Sequence, residues 1–240
     1  ANMPKEKLEF SGNYLPVDIW ILDKSRKVFS EVNSLFSNQL YHSGIQKLSE
    51  YINSDLSGIY MSSIKDRVYC DSDDRRNSAI SAMSKILHSI LGLIAPLFTY
   101  TANEVFSYLP LWMKEDKKDI FDIVFNNIPE IQVDIDFNFW KKVLSEFHVI
   151  FDKIKSNELI KETSELILEF SDPNDVLIDG ISDWFGVSIV STLSNRPSLA
   201  EFEFEGKSFR LVKSHCKKCD RCWKRSVDFD SPICKRCESV

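Results

Sequence analysis

The chain has 240 residues, 43% of them hydrophobic and 12% aromatic, with 30 Lys and Arg against 36 Asp and Glu for a formal net charge of −6. This allows one large or two modest packed domains, and it excludes a membrane span, since no run of about 18 uncharged apolar residues occurs. Without a basic-then-apolar opening of the secretory kind, a cytoplasmic setting is expected. Only seven glycines are present, with neither a GxGxxG nor a Walker-type phosphate loop, so a nucleotide-cradling domain is not expected.

Residues 1–16 are polar and contain Pro4, Gly12 and Pro16; with Ala1 in first place they are expected to be a leader cut from an upstream domain. From Asp18, expected near a helix N-terminus, the apolar residues Ile21, Leu22, Val28, Phe29, Val32, Leu35, Phe36 and Leu40 recur at three-and-four spacing and predict a first amphipathic helix. Ile45, Leu48, Tyr51, Ile52, Leu56, Ile59 and Tyr60 predict a second, running towards "IKDRVYC" at Ile64 to Cys70. The polar "DSDDRRN" then breaks the pattern. A third helix follows through Ile80, Met83, Ile86, Leu87, Ile90, Leu91 and Ile94 until Pro96 ends or kinks it. The "AMSKIL" within it is assigned to packing. Thr101 and Glu104 stand at capping-box spacing before a short fourth helix that ends at Leu109-Pro110. Four such helices predict an antiparallel bundle over residues 17–110.

A linker is expected over 111–137, and Phe139, Trp140, Val143, Leu144, Phe147, Ile150, Phe151 and Ile154 predict a fifth helix. The period then changes. "ELILEF", "VSIVST", "EFEFE" and "SFRLVK" read as strands, with a helix near Pro173 to Phe185 between the first two. The expected fold class is therefore mainly α, a helical bundle followed by a small α+β module over 138–213 that ends in a zinc knuckle or ribbon over 214–240.

That last segment, "HCKKCDRCWKRSVDFDSPICKRC", holds five of the six cysteines. Two Cys-x2-Cys pairs complete a closed tetrahedral structural site, but spacing alone allows either Cys219/Cys222 or Cys216/Cys219 as the first pair, with Cys234/Cys237 as the second. Disulfides are not expected, because nothing suggests secretion and Cys70 lies far off in the sequence. The segment is also charged opposite to the rest. From residue 207 on there are ten Lys and Arg against four Asp and Glu, and before it twenty against thirty-two. Such an asymmetry marks a polyanion-binding appendage, and cations around Trp223 suit phosphates and an unstacked base.

"KCDRCW" followed by "ICKRC" resembles the zinc-binding C-terminus of bacterial isoleucyl-tRNA synthetases, whose first ligand pair sits in a Cys-x-Arg-Cys-Trp motif. "VDIWIL", "IKDRVYC" and "LIAPLFTYTANEVFSYLP" resemble, in order, segments of that family's helical anticodon-binding domain, although valyl, leucyl and methionyl relatives share similar helical stretches. The resemblance implies Cys219, Cys222, Cys234 and Cys237 as ligands of one structural Zn2+, with Cys216 as an alternative ligand. It implies tRNA(Ile) as partner, no DNA, a monomer, and contacts to the anticodon stem-loop from Lys65, Arg67, Lys218, Arg221, Trp223, Lys224 and Arg225. Asp66 is expected to pair with a neighbouring cation, Lys65 or Arg67. ATP and Mg2+ would belong to an upstream catalytic domain whose HIGH and KMSKS signatures this sequence lacks. The expected whole is a C-terminal fragment that binds tRNA while the missing part joins isoleucine to it. The alternatives are a DNA-repair glycosylase-like protein, some of which end in a four-cysteine finger, and a stand-alone zinc-ribbon nucleic-acid-binding module.

Overall fold

The computed structural model describes residues 4, 6, 10–71, 73–114, 116–131, 135–171, 175–227 and 231–238. They form a mainly helical protein with a small sheet, divided into two compact units: Asp18–Ser62 with Asp73–Val133, and Ser63–Ser72 with Asp134–Val240 and Leu15–Val17. Among the described residues no helix is long and apolar enough to cross a membrane.

The first unit is built on α1 (Pro16–Ser37), α2 (Tyr41–Glu50), an eleven-residue π-helical stretch (Tyr51–Met61), α4 (Asp73–Ile94), α5 (Thr99–Ser107) and α6 (Leu111–Lys114), while α3 (Ser62–Cys70) falls to the second unit. The three-and-four stripe of α1 does bury Ile21, Leu22, Val28, Phe29 and Val32. Asp18 stands near the N-terminus of this helix, as expected. It lies fully buried in the first turn and accepts hydrogen bonds from the Tyr60 hydroxyl (2.7 Å) and from Ser78, because a carboxylate taken out of water must be paired. Helix α4 starts at Asp73, inside the polar run expected to break it, and ends before Pro96 as the missing amide donor requires. The expected capping box is not used: α5 begins at Thr99, whose hydroxyl donates to the Ala95 carbonyl (2.8 Å), and Thr101 already lies within the helix.

Residues 111–131 are not a bare linker. Ile120, Ile123 and Met113 join Leu91, Ala102, Phe106 and Leu109 in one buried cluster, and Ile128 is buried as well. Gly92 permits this approach, since a Cβ there would meet the Phe125 Cα at 2.7 Å.

In the second unit α7 (Phe137–Ser156) is capped by Asp136, whose carboxylate accepts from the amides of Asn138 and Phe139 at 3.0 Å. Its apolar face covers a four-stranded sheet of order β2-β1-β4-β3, formed by β1 (Leu166–Phe170), β2 (Ile189–Thr192), β3 (Ser198–Phe204) and β4 (Lys207–Lys213). Strands β1 and β2 are parallel, joined by the crossover helix α8 (Asp175–Phe185) as parallel pairing demands; Pro173 lies outside the described residues. The β3–β4 hairpin turns on Glu205 and Gly206, both at positive φ, the requirement of a two-residue type I′ loop. Trp140 sits among Phe170, Phe185 and Phe209 with ring centroids 5.5 to 6.3 Å away, in the edge-to-face arrangement aromatic pairs prefer. The chain then leaves β4 for a two-stranded ribbon, β5 (Lys217–Lys218) and β6 (Arg225–Val227), and the short α9 (Lys235–Glu238).

Candidate metal centre

The β5–β6 ribbon presents its turn as the first knuckle. Cys219 N–H donates to the Lys224 carbonyl and Trp223 N–H to the Cys219 carbonyl, each at 2.9 Å. Trp223 itself has φ 65°, a left-handed conformation that reverses the chain within so few residues. The second knuckle is the first turn of α9, closed by Cys237 N–H to the Cys234 carbonyl (2.8 Å), and it is joined to the first where Cys234 N–H donates to the Cys219 sulfur at 3.3 Å.

Cys219, Cys222, Cys234 and Cys237 are all buried, and their sulfurs lie within 4.8 Å of one another. A tetrahedral thiolate site with metal–sulfur bonds of about 2.3 Å has edges of about 3.8 Å, and the Cys222 and Cys234 sulfurs are 3.8 Å apart. The donor set thus fits a closed four-ligand site with no position left for a reacting water. Cys216 is half-buried and stands outside the cluster. Burial raises the Cys219 thiol, but hydrogen bonds from the backbone at Cys222, Cys234 and Arg221 outweigh it and lower the thiol to about 6. Cys222 and Cys237 are pushed up, first by burial and then by neighbouring thiols. Crowded thiolates that repel one another are the electrostatic condition a bound cation relieves.

The residues expected to meet RNA divide sharply. Lys65 on α3 is exposed, and so is Trp223, at 63%. Lys218 is exposed too, with its ammonium 3.0 Å from Glu162 and 5.3 Å from the Trp223 ring centroid. Arg221 has an exposed side, although its guanidinium donates to the Cys237 carbonyl (3.0 Å). Arg225 is partly covered and pairs with Glu165 at 3.6 Å. Two of these residues are held in interior ion pairs. Arg67 is 0% exposed and faces Asp183 at 3.7 Å, so its guanidinium cannot reach a phosphate without first leaving a buried carboxylate. Lys224 is 14% exposed and bridges Asp183 (3.1 Å) and Asp66 (3.3 Å). Asp66 pairs with neither Lys65 nor Arg67, but with Lys224 and with Arg236 (3.0 Å).

Cys70 is likewise not remote. It is buried beside the four thiols, its sulfur 3.8 Å from the Arg221 carbonyl. Sequence reasoning missed Asp66, Asp71, Asp183 and Arg236 as neighbours of the metal centre. The available signal was Arg236 itself, a cation placed between two of the clustered thiols.

A mainly helical protein with a small sheet and a four-thiol cluster is the class this architecture describes, and the sequence comparison places it: the chain belongs to the family of anticodon-binding domains of tRNA ligases, matched over residues 18–172. Its curated relatives are narrower still. It is 38% identical over 228 residues to the isoleucine–tRNA ligase of a Nitratiruptor species, covering 93% of this chain and 25% of that protein. With the isoleucine–tRNA ligase of Campylobacter hominis the identity is 38% over 247 residues, covering 100% of this chain and 27% of the relative. With that of Campylobacter concisus it is 39% over 243 residues, covering 98% and 26%. The chain thus spans about a quarter of the length of these relatives. The glycosylase-like and stand-alone-ribbon alternatives find no support in these likenesses.

Proposed function

We propose that this chain is the tRNA-recognising part of an isoleucine–tRNA ligase, binding the anticodon stem-loop of tRNA(Ile) with a helical bundle of the class I synthetase type and with a zinc-bearing knuckle. The family match over residues 18–172 carries the reading, and the exposed cations and indole around the four-thiol cluster support it. The joining of isoleucine to tRNA, with its ATP and Mg2+, belongs on this reading to a part of the protein outside this chain, which acts as a cytoplasmic monomer. Zn2+ is the proposed ion because four thiolates in a closed tetrahedral set select it among the common divalent metals. Cys219, Cys222, Cys234 and Cys237 hold it, and bound there it supplies a structural clamp and neutralises part of the thiolate charge.

Within the knuckle, Trp223 offers a face for an unstacked anticodon base and Arg221 a planar donor beside it, the means by which single-stranded RNA loops are read. Lys65 and Lys218 are suited to phosphates, which position RNA without reading it. Filter binding to tRNA(Ile) tests this. Trp223→Ala is expected to cost about 1–3 kcal/mol, the worth of one base–aromatic stack, and Lys217→Ala to lower the salt slope by about one counterion. A chain truncated after Lys213 that binds tRNA(Ile) as the full chain does would refute the knuckle's role.

A further inference from the structure

We propose that Asp66 and Asp71 at the end of α3, together with Arg236, are positioning residues of the metal centre, so that metal occupancy sets the order of α3 and of its exposed face. This goes beyond tRNA recognition and rests on the metal reading of the four thiols. Arg236 stands between Cys234 and Cys237 on α9. Its guanidinium is shared between two carboxylates of one helix end, 3.0 Å from Asp66 and 3.1 Å from Asp71. Asp71 keeps 3% of its side chain exposed and Asp66 19%. The carboxylates lie largely in the interior while the Arg236 side chain keeps 29% exposed, so solvent screens these pairs less than it does surface ones.

The first knuckle is tied to the same helix. Lys224, two residues after Cys222, bridges Asp66 and Asp183, and the Arg221 carbonyl lies against Cys70, the last residue of α3. Arg221 also crosses to the second knuckle through the Cys237 carbonyl. Both thiol pairs are therefore anchored on the last two turns of α3, a helix that contributes none of the four thiols. Helix α9 is a single turn, far below the length at which a helix holds itself together. Its orientation comes from the thiols' common ion on one side and from α3 on the other. The dependence runs both ways. Helix α3 buries Ile64, Arg67 and Cys70 and exposes Lys65 and Tyr69, so the contacts that seat the knuckles also fix which face of α3 looks outward.

The test uses the full chain loaded with Zn2+ and reads metal transfer to a chromophoric chelator together with amide exchange across residues 62–71. Groups that hold metal ligands in place change metal affinity about 10–100-fold when removed. Asp66→Asn and Arg236→Gln are each expected to speed metal release by about that factor, and the double variant no more than the faster single. Lys235→Gln, the same loss of charge in the same thiol pair, should release metal at the wild-type rate. Chelating the wild-type protein should raise exchange across 62–71 and leave α5 protected, and this arm decides the matter if a variant fails to fold. Wild-type release rates in both single variants, or exchange across 62–71 that ignores chelation, would overturn the coupling while leaving the metal site standing. A chain that takes up no metal would overturn both.

Discussion

Two neighbouring parts of the second unit are held by different forces. The sheet and α7 bury Trp140, Phe147, Phe170, Phe185 and Phe209 against one another, apolar surface that stabilises by leaving water. The segment from Ser214 on buries four thiols, with Cys70 and the partly covered Ile233 against them, and has in place of an apolar core a thiol cluster of metal-binding geometry and ionic ties. Small folds that cannot bury enough apolar surface need such a staple. The contrast teaches that the two parts should respond to different insults.

The largest difference is expected on removing the metal. Structural zinc in small knuckles contributes about 10–16 kcal/mol of apparent binding free energy at neutral pH. Chelation, or Cys222→Ser, should therefore abolish amide protection over residues 214–238 and leave the β1–β4 sheet protected; simultaneous loss of both would erase the distinction. Next comes the core. Trp140→Ala should cost about 3–5 kcal/mol, read as a lower urea midpoint, with one metal still bound per chain.

Arg67 belongs with the ionic ties. Removing it takes one cation from the buried Asp183 and leaves Lys224 at 3.1 Å, so Arg67→Ala should cost up to about 3 kcal/mol yet leave the salt slope of tRNA binding unchanged, where a fall of one counterion would mean that it meets RNA after all. Acid probes the same network. Burial pushes the Asp66 carboxyl up, but Lys224 and Arg236 outweigh it and hold the group below its ordinary value of 3.8. A depressed folded pKa gives stability that is full above the unfolded value and is lost as pH falls through the folded one. In Asp66→Asn the dependence of stability on pH below about 4 should accordingly flatten, and an unchanged profile would remove Asp66 from the network. The smallest effect is expected at Cys216, where Cys216→Ser should stay within about 0.5 kcal/mol at unchanged metal stoichiometry.

Much of this was written in local patterns. The period of 3.6 marked α1 and α7, short apolar or alternating runs marked β1 to β4, and the paired cysteines marked the knot, because each is a pattern over a few residues. The π-helical stretch Tyr51–Met61 was not legible, since its apolar residues fit an α-helical stripe equally well. Spacing could not choose between Cys216 and Cys222; the Cys-x-Arg-Cys-Trp resemblance favoured Cys222, and the three-dimensional cluster contains it. Nor could the sequence separate cations that face solvent from those that tie the interior. Arg67 and Lys224 look like any basic residues beside a recognition motif, and their partners lie far along the chain, as Arg236 and Asp66 do at 170 residues. Net charge therefore overstated the cationic face: Arg210, Lys218, Lys224, Arg225 and Arg236 all have carboxylate partners.

The affinity of the metal-loaded chain for tRNA(Ile), measured beside the same tRNA carrying a substituted anticodon, tests the central claim most directly. Tighter binding of the native anticodon, with the difference lost in Trp223→Ala, is the predicted result; equal affinity for both tRNAs would contradict it.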